Sequence, residues 1–182
     1  ARSPGRTPAW PATPRCECAD AFSEGTRQHA VSQNIAPFLR AGESQPALTC
    51  LELGGGPGRD IRAFTELGHT AIGLEGSPQF AAMARAYSGC EVWEQNLLEL
   101  NLPAERFDGV FANAVLFHVP SDELPRVLRA LHATLKPRGV LFSSNPRGEG
   151  QEGWSGGRFG AYHDLEAWRG YVTAAGFKEL EH

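Results

Sequence analysis

Two carboxylates and a run of glycines are the residues of this chain whose spacing points to chemistry. The segment Cys50-Leu51-Glu52-Leu53-Gly54-Gly55-Gly56-Pro57-Gly58-Arg59-Asp60 ends an apolar run with an acid, passes four glycines and opens a helical pattern. Glycine reaches positive φ without strain and lets a ligand lie against the backbone, where a Cβ would collide with it. A turn that feeds a helix N-terminus also presents unpaired amide N–H groups. A second apolar run, Thr70 to Leu74, ends in Glu75, followed by Gly76 and Ser77. An acid at such a strand end can accept hydrogen bonds from both hydroxyls of a ribose. A lone glycine loop would be weak, because such loops are often only tight turns. The loop, the strand-end acid and the strand–helix–strand spacing together predict one wall of a nucleoside site.

The glycine pattern also excludes ligands. It reads G-x-G-x-G, and Arg59 stands where the dinucleotide fingerprint G-x-G-x-x-G needs its last glycine, which counts against NAD and FAD. No G-x-x-x-x-G-K-[ST] occurs, so a nucleoside-triphosphate P-loop is absent. The ligand need not carry phosphate.

Short apolar runs alternating with longer helical patterns must position these groups, and that alternation is the mark of a parallel sheet with crossover helices. The spacing predicts strands near 48–53, 70–74, 90–93, 107–112 and 139–144, and helices near 58–67, 78–88, 121–135 and 164–175. Gly58, Ser77 and Ser121 fall where helices begin, while Gly68 and Gly89 fall just past helix ends. One or two amphipathic helices are expected between Asp20 and Leu39. The resulting fold class is α/β, a doubly wound Rossmann-like sandwich with a mostly parallel sheet and helices on both faces. In such sheets ligands bind beyond the carboxyl ends of the strands at the topological switch point, so Asn113 through His118 should face the site. Residues 1–15, with Pro4, Pro8, Pro11 and Pro14, are expected to form a flexible leader ahead of a single domain spanning 16–182.

The 182 residues are 41% hydrophobic, enough for a substantial core, and carry a formal net charge of -4 with Lys and Arg scattered. That leaves no electrostatic footprint for nucleic acid or an anionic membrane and favours a small or neutral partner. No run approaches the roughly 18 apolar residues of a membrane span, so a soluble, cytoplasmic chain is expected. Cys50 and Cys90 sit in apolar, strand-like surroundings and are expected to be buried and inert. Cys16 and Cys18 lack a second ligand pair at metal spacing, so no metal is expected.

Four stretches carry a resemblance: Glu52-x-Gly54-x-Gly56-x-Gly58, Gly73-Leu74-Glu75-Gly76-Ser77, Phe107-Asp108-Gly109-Val110-Phe111-Ala112-Asn113, and Leu135-Lys136-Pro137-Arg138-Gly139-Val140-Leu141. Over roughly residues 20–180 the chain resembles the class I S-adenosylmethionine-dependent methyltransferases, particularly the small bacterial proteins of the ubiquinone-biosynthesis and type 11 groups. The resemblance implies that S-adenosylmethionine is the cofactor and S-adenosylhomocysteine the product. Glu52, Gly54, Gly56, Gly58 and Asp60 would line its methionine end, Glu75 with Gly76 would take the ribose, Asn96 and Leu97 would border the adenine, and Asn113 would close the reacting side. Asn96 stands where the family often has Asp, and Glu52 replaces the commoner Asp. The family fold ends in an antiparallel strand pair, and here the sixth strand is expected to begin near Gly176 with the pair incomplete. An open sheet edge of that kind predicts a homodimer.

Transfer of a methyl from a sulfonium is a direct displacement with a good leaving group, so alignment can supply much of the catalysis. His118, in Asn113-Ala114-Val115-Leu116-Phe117-His118, is the candidate general base; the alternative role is to order its loop. The stretch Asn145 to His163, rich in Gly, aromatic residues and Arg, is read as a mobile lid over a small-molecule acceptor. There Arg147 and Arg158 would bind a carboxylate and Tyr162 or His163 would orient the acceptor, or the stretch is a solvated loop. Phe22 is assigned to the pocket by resemblance alone. Two other functions compete: a binding module that keeps the cofactor site without turnover, and an NAD-linked oxidoreductase.

Overall fold

The computed structural model describes residues 32–42 and 47–181. Phe22, Cys16, Cys18 and the leader lie outside the described residues.

A five-stranded parallel sheet organises the chain. Its strands are β1 Thr49–Leu53, β2 Thr70–Glu75, β3 Val92–Glu94, β4 Phe107–Asn113 and β5 Leu135–Ser144, in the spatial order β3-β2-β1-β4-β5. The helices are α1 Ser32–Ala41, α2 Arg59–Glu66, α3 Pro78–Ser88, α4 Leu124–Thr134 and α5 Leu165–Ala174. Because the order reverses between β1 and β4, the carboxyl ends of those two strands define the switch point.

Strand alternation divides the core in two. Leu51, Leu53, Ile72, Leu74, Val110 and Ala112 face α4 through Leu124, Val127, Leu128 and Leu131. Cys50, Ala71 and Phe111 point the other way, against Ile35 and Phe38 of α1, Ile61 and Phe64 of α2, and Ala81 and Ala84 of α3. Successive Cβ atoms leave a strand on opposite faces, so these near-continuous apolar runs serve both layers, as a doubly wound sheet requires. On the α1 and α2 side the sheet needs glycine for close approach: a Cβ on Gly109 would enter the Phe38 ring and one on Gly73 would meet Ile61.

Most helix ends follow their caps. Ser77 accepts from the amide of Phe80 at 3.4 Å with Pro78 starting α3, and Gly89 ends it at φ 71°. Asp164 accepts from Ala167 N at 2.8 Å and starts α5. Ser121 does not cap α4: the helix starts after Glu123, and the Ser121 hydroxyl instead reaches the Glu152 carboxylate.

Three further expectations change. The stretch read as an irregular lid contains β6 Gln151–Ser155 and β7 Arg158–Tyr162, an antiparallel hairpin separate from the main sheet. Its two loop residues, Gly156 at φ 55° and Gly157 at φ 77°, adopt the positive-φ pair that matches the strand twist of a tight hairpin. Residues 177–181 form no strand, so the expected sixth strand is not there. Cys50 is fully buried as expected and burial pushes its thiol up to about 12, whereas Cys90 is only half-buried, with Sγ 3.3 Å from Thr65 Oγ1.

Candidate functional site

Sheet register brings the sequence-separated acids to one edge. Leu53 pairs with Leu74, Glu52 with Phe111, and Asn113 with Ser144, so Glu52, Glu75 and Asn113 end near the same carboxyl rim. The glycine turn lies between them, tied back by Gly54 N donating to Leu74 O at 2.7 Å.

Each glycine of the turn meets a specific demand. Gly54, Gly56 and Gly58 all have positive φ, at 64°, 52° and 90°. A Cβ on Gly54 would strike Val115, and one on Gly58 would come within 2.8 Å of Ala84 Cα on α3. Gly55 has a different reason: its missing Cβ leaves the place taken by the Glu52 carboxylate.

Glu75 is 7% exposed and fully engaged with backbone. Its Oε2 accepts from Gly56 N at 3.1 Å and its Oε1 from Ser77 N at 2.8 Å, with Gly76 N also favouring the charged form. Burial outweighs these amides and raises the carboxyl above its ordinary value. Each carboxylate oxygen has further lone-pair capacity, so the ribose role is compatible with both backbone bonds.

Glu52 is 1% exposed, and its Oε2 has no hydrogen-bond partner. Desolvation, then the nearby Asp60 and Glu75, raise its pKa well above the usual range. Asp60, at the first turn of α2, is raised by desolvation and lowered by Arg59 and Asn113, with desolvation the larger effect. Its Oδ1 lies 3.7 Å from Arg59 Nε, close enough to attract and too far to hydrogen-bond. Asp60 Oδ1, Arg59 Nε and Arg59 Nη1 are therefore buried polar atoms without a hydrogen bond.

Asn113 is the hub of the rim. Its Oδ1 accepts from Ser144 Oγ at 2.6 Å and from Asn34 Nδ2 at 3.1 Å, and its Nδ2 donates to Asp60 Oδ2 over 3.5 Å. Asn96 spends its Oδ1 on Leu98 N, 2.9 Å away, opening a short 3₁₀ turn over Leu97–Glu99 in which Leu97 is buried. That oxygen retains a second lone pair.

Beyond β4 a 3₁₀ turn over Leu116–His118 carries the candidate base. His118 Nδ1 lies 2.6 Å from the Phe159 carbonyl oxygen of β7. A carbonyl can only accept, so Nδ1 donates and the neutral ring carries its basic lone pair on Nε2. Burial lowers the His118 pKa, the Phe159 carbonyl opposes that, and the Arg158 charge adds to it. The hairpin is fastened to the same loop by Glu152 Oε2, which accepts from Ser121 N at 3.1 Å, and by Tyr162, whose ring lies 5.8 Å from Phe117.

Among the acceptor-side residues, Arg147 is exposed just past β5 and Tyr162 stands beside Phe117. His163 is drawn into the hairpin's anchorage: its Nε2 is 3.5 Å from Ser121 Oγ and its ring 5.0 Å from Tyr171. Sequence reasoning missed Asn34, Arg59 and Ser144 as rim residues. Arg59 was legible as the charge adjoining the glycine turn, whereas nothing in the spacing of Asn34 or Ser144 marks them. Among the described residues no group of His, Cys, Asp and Glu could hold a metal, and no helix is long and apolar enough to cross a membrane.

A sheet of this order with its acid-and-glycine rim at the β1/β4 switch point defines a Rossmann-like fold. The methyltransferase-domain family matches residues 51–143, from β1 into β5, and the chain belongs to that family. It is 34% identical over 105 residues to trans-aconitate 2-methyltransferase of Azoarcus sp. (strain BH72), a match covering 56% of this chain and 40% of that relative. An S-adenosylmethionine-dependent methyltransferase from Mesorhizobium loti shares the fold with a TM-score of 0.70 at 23% identity, over 85% of this chain and 83% of that one. The Burkholderia thailandensis 1,6-didemethyltoxoflavin-N1-methyltransferase, solved with its acceptor and S-adenosylhomocysteine, superposes with a TM-score of 0.67 at 23% identity, over 91% and 76% of the two chains.

Proposed function

We propose that this domain transfers a methyl group from S-adenosylmethionine to a small-molecule acceptor and leaves S-adenosylhomocysteine. The observation that carries the reading is the set of unsatisfied buried groups around the glycine turn. Glu52 Oε2 and Asp60 Oδ1 are acceptors without donors, while Arg59 Nε and Nη1 are donors without acceptors. Buried polar atoms left unpaired are costly and call for a partner. Two buried carboxyl groups beside a cation complement the ammonium and carboxylate of an amino-acid end, and Glu75, hydrogen-bonded to Gly56 N of the turn, would supply the ribose acceptor. Asn96 and Leu97 would flank the adenine.

When bound, the cofactor supplies a methyl on a sulfonium that is a good leaving group. The protein's contribution is alignment and proton handling. Asn113, fixed by Ser144 and Asn34, holds the rim at the reacting side. His118, oriented through Nδ1 and with its pKa lowered by burial, would take a proton at Nε2. Tyr162 with Phe117 would flank the acceptor and Arg147 would pair with an anionic group on it.

The test is turnover with methyl-labelled S-adenosylmethionine against a panel of small carboxylates, N-heterocycles and hydroxylated compounds. Label should appear in one class with matching release of S-adenosylhomocysteine. Cofactor binding with no label in any class would favour a binding module instead.

A further inference from the structure

The polar chain at the end of β4 continues into the first turn of α1. Asn34 is in the first turn of α1, and its Nδ2 donates to Asn113 Oδ1 at 3.1 Å across 79 residues of sequence. Phe38, one turn further along, lies over Gly109 near the start of β4. The helix therefore runs down β4 with its N-terminal turn at the carboxyl rim of the sheet, where the site is.

The carboxamide of Asn113 is oriented by three side-chain contacts. Ser144 Oγ and Asn34 Nδ2 both donate to Oδ1, which leaves Nδ2 directed at Asp60 Oδ2. Asp60 is the same carboxylate whose other oxygen lacks a partner. Removing the Asn34 donor leaves Ser144 alone to hold the carboxamide, which loosens the Asn113 donor that Asp60 receives beside the glycine turn. The relation is reciprocal: a ligand that fixes Asp60 favours the Asn113 orientation that accepts from Asn34.

We infer that Asn34 is a positioning residue that latches the first turn of α1 to Asn113, so that ordering of α1 and occupation of the cofactor site are coupled. This rests on the proposed cofactor site. Ile35 and Phe38, each 2% exposed, anchor the helix body to the sheet whether or not the site is filled. The latch governs the polar turn above them.

The probe is S-adenosylhomocysteine, with calorimetry for affinity and hydrogen exchange over residues 32–41 for the helix. In the unaltered chain the ligand should slow exchange there by about tenfold or more. In Asn34→Ala the slowing should be lost and affinity should fall about three- to tenfold, the scale of one buried hydrogen bond. Asn34→Asp, nearly isosteric but unable to donate, should give the same two losses, which separates the latch from a packing defect. Wild-type slowing in either variant, even with weakened affinity, would overturn the latch and leave the cofactor reading standing. Failure of the unaltered chain to bind S-adenosylhomocysteine would overturn the cofactor reading itself, and the latch with it.

Discussion

Glu75 Oε2 accepts the amide of Gly56 at 3.1 Å, so the acid that ends β2 is joined to the middle of the glycine turn that follows β1. The same carboxylate holds Ser77 N at 2.8 Å, where α3 begins. One side chain thus fixes two backbone segments that would flank a nucleoside in the proposed site. The charge that would receive the ribose also shapes the walls.

Gly55→Ala should damage the site by collision rather than by backbone strain. The added methyl lands on the Glu52 carboxylate, which is 1% exposed. Overpacking of this kind costs about 1–3 kcal/mol, or roughly 2–10 °C in Tm for a chain of this size. S-adenosylhomocysteine affinity should fall at least about tenfold with it. Thermal melts and calorimetry together check this; a variant with unaltered Tm and affinity would show that Glu52 has room.

Glu52→Gln should stabilise the ligand-free protein, increasingly so as pH rises. Burial, Asp60 and Glu75 raise the Glu52 pKa well above 4.5, so between that unfolded value and the raised folded value the native state binds more protons than the unfolded state. Stability then falls with rising pH through that window, and the glutamine removes the loss. Melts of both proteins from pH 5 to 8 should show a Tm difference that grows with pH. A constant difference would mean Glu52 is ionised throughout.

His118→Asn preserves a donor for the Phe159 carbonyl and removes the titrating ring. If His118 carries a proton in turnover, kcat should fall about 10²-fold while cofactor affinity changes little. The lowered His118 pKa places the acid limb of the unaltered enzyme's kcat profile below 6.5, with activity rising to a plateau above it. The variant should lack that limb. A kcat within a few-fold of wild type would assign the ring to holding the hairpin.

Arg138→Gly should stabilise the fold. Arg138 is exposed at φ 67°, in the irregular start of β5 where the pairing with β4 shifts register between Phe107 and Gly109. A left-handed residue costs roughly 1–2 kcal/mol that glycine avoids, offset by about 0.5–1 kcal/mol of added unfolded-state entropy. A net gain of about 0.5–1 kcal/mol is the expected result of denaturant unfolding, and a loss would mean that the arginine side chain makes a compensating contact.

Much of this architecture was legible because buried parallel strands read as short apolar runs and their helices are punctuated by caps. Ser77, Gly58 and Gly89 marked boundaries that the structure keeps within a residue or two. The hairpin was misread although its signal was present. Gly156-Gly157 is a two-residue positive-φ turn, but Gln151 to Ser155 is exposed along its whole length and shows no apolar alternation. Ser121 looked like a cap because residue type alone cannot show that Glu152 competes for its hydroxyl. The acids and glycines of the candidate site were readable since backbone geometry restricts what can stand there. Asn34 and Ser144 were not, because their roles exist only once α1 and β5 are brought to Asn113.

The central claim is that the turn from Glu52 to Gly58, closed by Glu75, is a site for S-adenosylmethionine and its product. Calorimetric titration of the unaltered chain and of Glu75→Ala with S-adenosylhomocysteine, and separately with NAD, tests it most directly. One equivalent of S-adenosylhomocysteine should bind the unaltered chain, and Glu75→Ala should lose about 2–3 kcal/mol, on the order of 10²-fold in Kd, with no heat from NAD in either. Binding of NAD, or S-adenosylhomocysteine affinity indifferent to the loss of Glu75, would contradict it.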